Sequence, residues 1–239
     1  MSNATSACGS ARGSLTIITA LVPKSLGKRY SLTSQGLLHK EVAGALVAGT
    51  YEVRDFGDLS QLAQLLVKTD HNQALTVSLP RDGSLSGSLV TKAAARSSPG
   101  ALTRTKADFA QPVGRRGVLI LDHDPRPGAP IPVETLWEML GSACPAVLGA
   151  GVLQWSSGSS WIYSDGELLR GASGLRFYVL VEDLSDLPRA GAVLAKRLWL
   201  ENHGYVHVCR RRSNIDPPCR SNIDPGMEAD RVVVGCGQV

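Results

Sequence analysis

Long hydrophobic runs and cysteine pairs are both missing from this sequence. No stretch reaches the roughly 18 consecutive apolar residues of a membrane-spanning helix. The run Leu15–Val22 is short, contains two threonines and is followed by Pro23, which favours a buried strand over a signal peptide. The five cysteines are scattered and form no C-x-x-C pair, so we expect neither a disulfide framework nor a zinc site. A cytoplasmic protein without a membrane partner is therefore predicted.

Several catalytic signatures are absent as well. The sequence contains no G-x-x-x-x-G-K-[ST], which excludes a P-loop helicase or ATPase module, and no G-x-S-x-G nucleophile motif. His203 and His207 have i, i+4 spacing, but Gly204 lies between them and no glutamate stands in the zincin position. A metalloprotease is therefore not expected.

Aromatic residues are scarce, at 5% of 239 residues, so the core must be mostly aliphatic. Apolar residues make up 43% and charged residues 19%, a composition that excludes a wholly disordered chain. The formal net charge of +4 permits a polyanionic partner without requiring one.

Hydrophobic patterning predicts strands alternating with helices, hence an α+β or α/β fold. The predicted strands are Leu15–Val22, 51–53, Ala74–Leu79, Val118–Leu121, Val152–Trp155, Leu175–Glu182 and Tyr205–Val208. The predicted helices are Lys40–Ala48, Leu59–Val67 behind a cap at Asp58 or Ser60, Val133–Leu140, and one from Asp186 to about Asn202.

Composition also suggests a division of the chain. The segment Arg81–Gly100 is rich in Gly, Ser, Ala and Lys and is interpreted as a loop, with one helical turn around Thr91–Arg96, and as the best internal boundary. The hexapeptide at 212–217 recurs at 220–225, which indicates a local duplication. We expect a flexible N-terminus over 1–14, an αβ subregion over 15–100, a catalytic-type core over 101–216, and a duplicated, disordered tail over 217–239.

Two acids follow a run of aliphatic residues at 118–121. Because side chains alternate along a strand, Asp122 and Asp124 point the same way, about 6.6 Å apart along it. Two such carboxylates can hold the pair of divalent ions used for phosphoryl displacement. Alternatively, Asp-x-Asp before Pro125 forms a simple turn.

A second candidate feature is the loop Gly171–Gly174, which runs directly into a hydrophobic strand. Such a loop exposes backbone N–H groups that can cradle a phosphate. A glycine-rich hairpin explains it equally well, and Asp165-Gly166 just before it favours a hairpin.

The order of these motifs resembles the archaeo-eukaryotic primase or primase-polymerase superfamily, in its phage, plasmid and genomic-island type. The motifs are the acids at 122 and 124, the segment Ser173-Gly174-Leu175-Arg176, and a later acid. The resemblance implies a catalytic core with an RRM-like mixed sheet, preceded by an N-terminal αβ unit. It implies that Asp122, Asp124 and Asp216 ligate Mg²⁺ or Mn²⁺, Asp224 being the duplicate of Asp216. It also implies partners: nucleoside triphosphates, a DNA template and a helicase supplied in trans.

The family places a histidine that contacts the incoming nucleotide where this chain has Arg176. Arginine can bind phosphate as a planar fork but cannot act as a neutral imidazole. By the same resemblance Ser173 belongs to the nucleotide site, and Arg104 and Lys106 suit a triphosphate or a template backbone. Solvated cations on a loop explain Arg104 and Lys106 about as well.

Three functions remain open. The leading hypothesis is a metal-dependent DNA primase-polymerase-like nucleotidyltransferase for a mobile element, in truncated form. The alternative is a non-catalytic, decayed primase relative that only binds nucleic acid, which Arg176 and the duplicated tail favour. The third is a phosphohydrolase of the haloacid-dehalogenase type, which resembles the chain less because Arg126 stands where that family has Thr or Val.

Overall fold

The computed structural model describes residues 12–42, 45–123, 131–172, 174–206 and 219–221, and it has a mixed α+β fold. The predicted α+β class is confirmed. The strands are β1 Gly13–Val22, β2 Lys28–Leu32, β3 Leu38–Val42, β4 Ala48–Phe56, β5 Gln73–Thr76, β6 Leu79–Pro80, β7 Ser86–Val90, β8 Leu102–Thr103, β9 Phe109–Ala110, β10 Gly117–His123, β11 Val152–Ser156, β12 Ile162–Ser164, β13 Glu167–Arg170, β14 Leu175–Val181, β15 Gly204–Val206 and β16 Cys219–Ser221. The helices are α1 Leu59–Val67, α2 Val133–Ala143 and α3 Leu187–Leu200.

The N-terminal part forms a five-stranded sheet in the order β5-β1-β4-β7-β8. The strands β7 and β8 pair in parallel, whereas the other neighbours in this sheet pair antiparallel, so the sheet is mixed. Strand β1 is buried on both faces because Leu15 and Ile17 alternate with Ile18 and Ala20. The predicted strand at 15–22 is confirmed.

Helix α1 forms as the sequence predicts. The Asp58 carboxylate accepts a hydrogen bond from the Gln61 backbone N–H at 2.8 Å and satisfies one of the exposed donors of the first turn. The Gln61 side chain in turn accepts from the Gly57 N–H at 2.9 Å. Leu62 and Leu66, one helical turn apart, are fully buried.

The second sheet is antiparallel, in the order β10-β14-β11, and helices α2 and α3 cover one of its faces. On that face Leu121 and Phe177 pack with residues of both helices. On the other face Val118 and Tyr178 share a core with Leu62 and other residues of the five-stranded sheet and α1. The two sheets therefore meet across one hydrophobic layer.

Two sequence predictions about the N-terminal part are wrong. The described residues of the segment 40–48 are not helical: β2 and β3 form a hairpin through a turn at Gly36, whose φ is 73°, β3 extends to Val42, and β4 begins at Ala48. The predicted loop over 81–100 contains strand β7, which pairs with β4. Its Gly87 is a close-packing position rather than a loop signal, because a Cβ there would lie 2.7 Å from the Tyr51 hydroxyl.

The remaining predictions agree with the described residues to within a few positions. The strands at 118–121, 152–155 and 175–182 and the helix at 133–140 are confirmed. Asp186 stands before α3 without capping it, because its carboxylate binds Arg189. Gly13 and Ser14 already belong to β1, and β16 pairs with β15, whereas residues 1–11 and the rest of the tail lie outside the described residues.

Candidate functional site

Asp122 and Arg176 lie directly opposite each other in the neighbouring strands β10 and β14. Their side chains point to the same face of the sheet, where the Arg176 Nε donates to Asp122 Oδ1 at 3.0 Å. Only 9% of the Asp122 side chain and 12% of the Arg176 side chain are exposed. The two residues therefore form a buried, charge-assisted ion pair on the face that meets the five-stranded sheet and α1.

Two aromatic residues complete the surroundings of this pair. Trp155 in β11 lies opposite Arg176, and Tyr178 follows two residues later on the same face of β14. Burial raises the pKa of Tyr178, and the Arg176 charge offsets part of that rise. Burial also lowers the pKa of Arg176, but the Asp122 carboxylate and Tyr178 raise it by more, so the net shift is upward. The guanidinium therefore stays charged.

Serine and glycine loops close the same end of the sheet. The Ser157 N–H donates to the Gly174 carbonyl at 2.8 Å, and the Gly174 N–H donates to the Ser160 hydroxyl at 3.2 Å. The Lys28 ammonium reaches across from β2 and donates to the Ser159 hydroxyl at 2.8 Å. The Lys28 ammonium and these serines therefore lie at the end of the second sheet where β10 ends and β14 begins, and Ser157 and Ser159 are themselves buried.

Packing explains why position 174 is a glycine. A Cβ there would lie 2.7 Å from the Ser157 hydroxyl and 3.1 Å from the His123 carbonyl oxygen.

We expect Gly174→Ala to lower the free energy of unfolding by about 1–3 kcal/mol, the usual cost of overpacking. Urea denaturation measures the loss. Gly171→Ala is the matched control, because a Cβ there meets nothing within 4 Å, and an equal loss in both variants would contradict this packing.

The hairpin interpretation of the segment before this loop is confirmed. Strands β12 and β13 pair around Asp165 and Gly166, whose φ angles are 50° and 83°. Two consecutive positive φ angles match the type I′ turn that suits a two-residue hairpin. The Gly171 carbonyl accepts from the Trp161 N–H at 3.1 Å, so this end of the predicted phosphate loop forms the base of the hairpin.

Arg104 and Lys106 lie elsewhere. Their segment connects β8 to β9, whose residues Leu102 and Phe109 pack with Ile18 on the face of the five-stranded sheet turned away from α1. The segment is therefore attached to the face of the five-stranded sheet opposite the one that meets the second sheet. The turn itself is organised by an aspartate, because the Thr103 N–H donates to Asp108 at 2.6 Å. A nucleotide-binding role for Arg104 and Lys106 stays a prediction.

Three predicted site residues, Asp124, Ser173 and Asp216, lie outside the described residues. Within the described ranges no three His, Cys, Asp or Glu side chains are grouped as metal ligands. Asp122 already has Arg176 as a cationic partner. Of the three predicted metal ligands the structure therefore describes Asp122 alone, which is paired with Arg176, and the metal site stays a prediction.

Sequence reasoning missed three contributors to this site. Tyr178 and Trp155 follow from strand alternation once the register of β14 against its neighbours is known, since both share the face of Arg176. Lys28 carries no local signal, because it reaches Ser159 across 131 positions of sequence.

No protein-family model, curated protein or solved structure matches this chain. The resemblance to primase-polymerases therefore rests on the short motifs quoted above. Within the described residues, no helix combines the length and apolar character needed to cross a bilayer.

Proposed function

We propose that this chain is a primase-polymerase-like domain that binds nucleic acid or nucleotide phosphates and does not itself catalyse nucleotidyl transfer. The observation that carries the proposal is the Asp122–Arg176 ion pair at the polar end of the second sheet. The acid stands where the family motif places a metal ligand, and the arginine stands where it places the nucleotide-contacting histidine. The neighbouring Lys28 supports anion binding at the same end.

The charge beside the Asp122 carboxylate is the reason that we expect no catalysis. Two-metal phosphoryl transfer needs carboxylates that hold cations about 3.5–4 Å apart. The Asp122 carboxylate is instead bound by a guanidinium in a largely buried position. Phosphate binding needs only well-placed positive charge and N–H or O–H donors, so it does not depend on that carboxylate.

The second candidate is the metal-dependent nucleotidyltransferase, in which Asp122, Asp124 and Asp216 would hold Mg²⁺ or Mn²⁺ and a DNA template would direct incorporation. The position of Asp122, second from the end of β10 and on the same face as Arg176, favours this enzyme. When bound, the metals would polarise the attacking hydroxyl and neutralise the leaving pyrophosphate. Replication of a mobile element is the process that both candidates would serve.

Fluorescence anisotropy with a labelled primer-template tests the binding proposal. We expect binding to weaken as salt rises, because protein cations replace counterions on the phosphates. Lys28→Ala should weaken binding and flatten the salt dependence. Lys196→Ala removes the same charge from the exposed surface of α3, which packs on the opposite face of the second sheet, and should leave binding nearly unchanged.

Primer extension on the same substrate separates the two candidates. We expect no extension with Mg²⁺ or Mn²⁺, in wild type or in Asp122→Asn. Extension by wild type that Asp122→Asn abolishes would support the metal-dependent enzyme and reject the non-catalytic proposal. A wild-type protein that neither binds nor extends the substrate would contradict both.

A further inference from the structure

We infer that the Arg176 guanidinium takes the place of a divalent cation at Asp122, so that this carboxylate carries a permanent protein cation and does not ligate Mg²⁺ or Mn²⁺. The two residues are direct partners in the β10–β14 ladder, and the Nε–Oδ1 distance is 3.0 Å. The pair is largely shielded from water. The inference rests on the site of the proposed function and deepens it, and metal binding is measured separately from nucleic-acid binding, so that each can fail alone.

Charge and burial set the two occupants in competition. Mg²⁺ takes oxygen ligands at about 2.0–2.1 Å in a nearly octahedral shell and keeps several waters. A divalent ion on the Asp122 carboxylate would lie beside the Arg176 charge, and the buried surroundings would screen their repulsion poorly. We therefore expect metal binding at Asp122 to strengthen when the guanidinium is removed.

Neither displacement nor deprotonation of Arg176 is easy. Its backbone is held in the central strand of the sheet, between β10 and β11, and Trp155 lies opposite it on the other side. Arginine does not lose its proton at any pH that proteins tolerate. Where the family has a nucleotide-contacting histidine, this chain has an arginine. That arginine makes Asp122, the predicted metal ligand, one half of an ion pair.

A double-mutant cycle read by Mn²⁺ binding tests the inference on the full chain. Mn²⁺ is titrated into wild type, Asp122→Asn, Arg176→Gln and the double variant, and free Mn²⁺ is measured by electron paramagnetic resonance. We expect wild type and Asp122→Asn to bind Mn²⁺ equally. Arg176→Gln should bind it more tightly, and the double variant should lose that gain. Circular dichroism checks that each variant is folded.

Two outcomes would overturn the inference. Tighter Mn²⁺ binding by wild type than by Asp122→Asn would show that the carboxylate ligates metal beside Arg176. Equal binding by Arg176→Gln and the double variant would show that the arginine is not what excludes the metal.

If a variant does not fold, Mn²⁺-induced broadening of the β10 and β14 amide signals in wild type decides the question. Broadening centred on Asp122 contradicts the inference, and its absence supports it.

Discussion

Replacing Arg176 by alanine is expected to lower the free energy of unfolding by about 3–5 kcal/mol, the usual cost of breaking a buried ion pair by removing one partner. The reason is that the Asp122 carboxylate would stay in its buried position without a cation. Urea denaturation at neutral pH measures the effect. Arg189→Ala is the control, because its pair with Asp186 is 71% and 43% exposed and such surface pairs contribute only about 0–1 kcal/mol.

A second variant separates a charge effect from a packing effect. In the double variant Asp122→Asn with Arg176→Ala no buried charge is left without its partner, so it should be more stable than Arg176→Ala alone. A double variant that is no more stable than Arg176→Ala would mean that Arg176 contributes through packing of its side chain rather than through its charge.

Local patterns were enough to predict several parts of this molecule. The Asp58 cap and the leucine spacing locate α1 because both signals act within one or two helical turns. The glycines at 83, 87 and 100 illustrate the opposite case. Positions 83 and 100 have positive φ angles, as expected of turns, whereas Gly87 lies within a strand and makes room for Tyr51. Composition alone does not distinguish a glycine that turns the chain from one that admits a neighbouring side chain.

Two residues of the candidate site, Asp122 and Arg176, could be picked out from the sequence, but their pairing could not. Strand alternation places the side chain of Asp122 on one face of β10, and the family motif draws attention to Arg176. The two residues are cross-strand partners because of the register of β10 against β14. This register joins residues 54 positions apart and is set by packing on both faces of the sheet. The register therefore makes a candidate metal ligand, Asp122, and a candidate nucleotide contact, Arg176, partners of each other.

The shared hydrophobic layer leads to the second large effect, at Leu62. This side chain is 0% exposed and packs in the cluster that joins Leu15 and Phe56 of the five-stranded sheet to Val118 and Tyr178 of the second sheet. Leu62→Ala should lower the free energy of unfolding by about 2–5 kcal/mol, because the cavity lies between two packed layers that cannot easily close it. Val67→Ala, at a position 53% exposed on the same helix, should cost much less.

Hydrogen exchange extends this prediction from overall stability to the organisation of the chain. Because Leu62 contacts residues of both layers, we expect Leu62→Ala to speed amide exchange in β10 and β14 as well as in β1 and β4, by similar factors. A common acceleration means that residues on both sides of the predicted boundary near Gly100 unfold as one cooperative unit. Acceleration confined to β1 and β4 would instead mean that the second sheet, with α2 and α3 on its other face, holds enough core of its own to unfold independently.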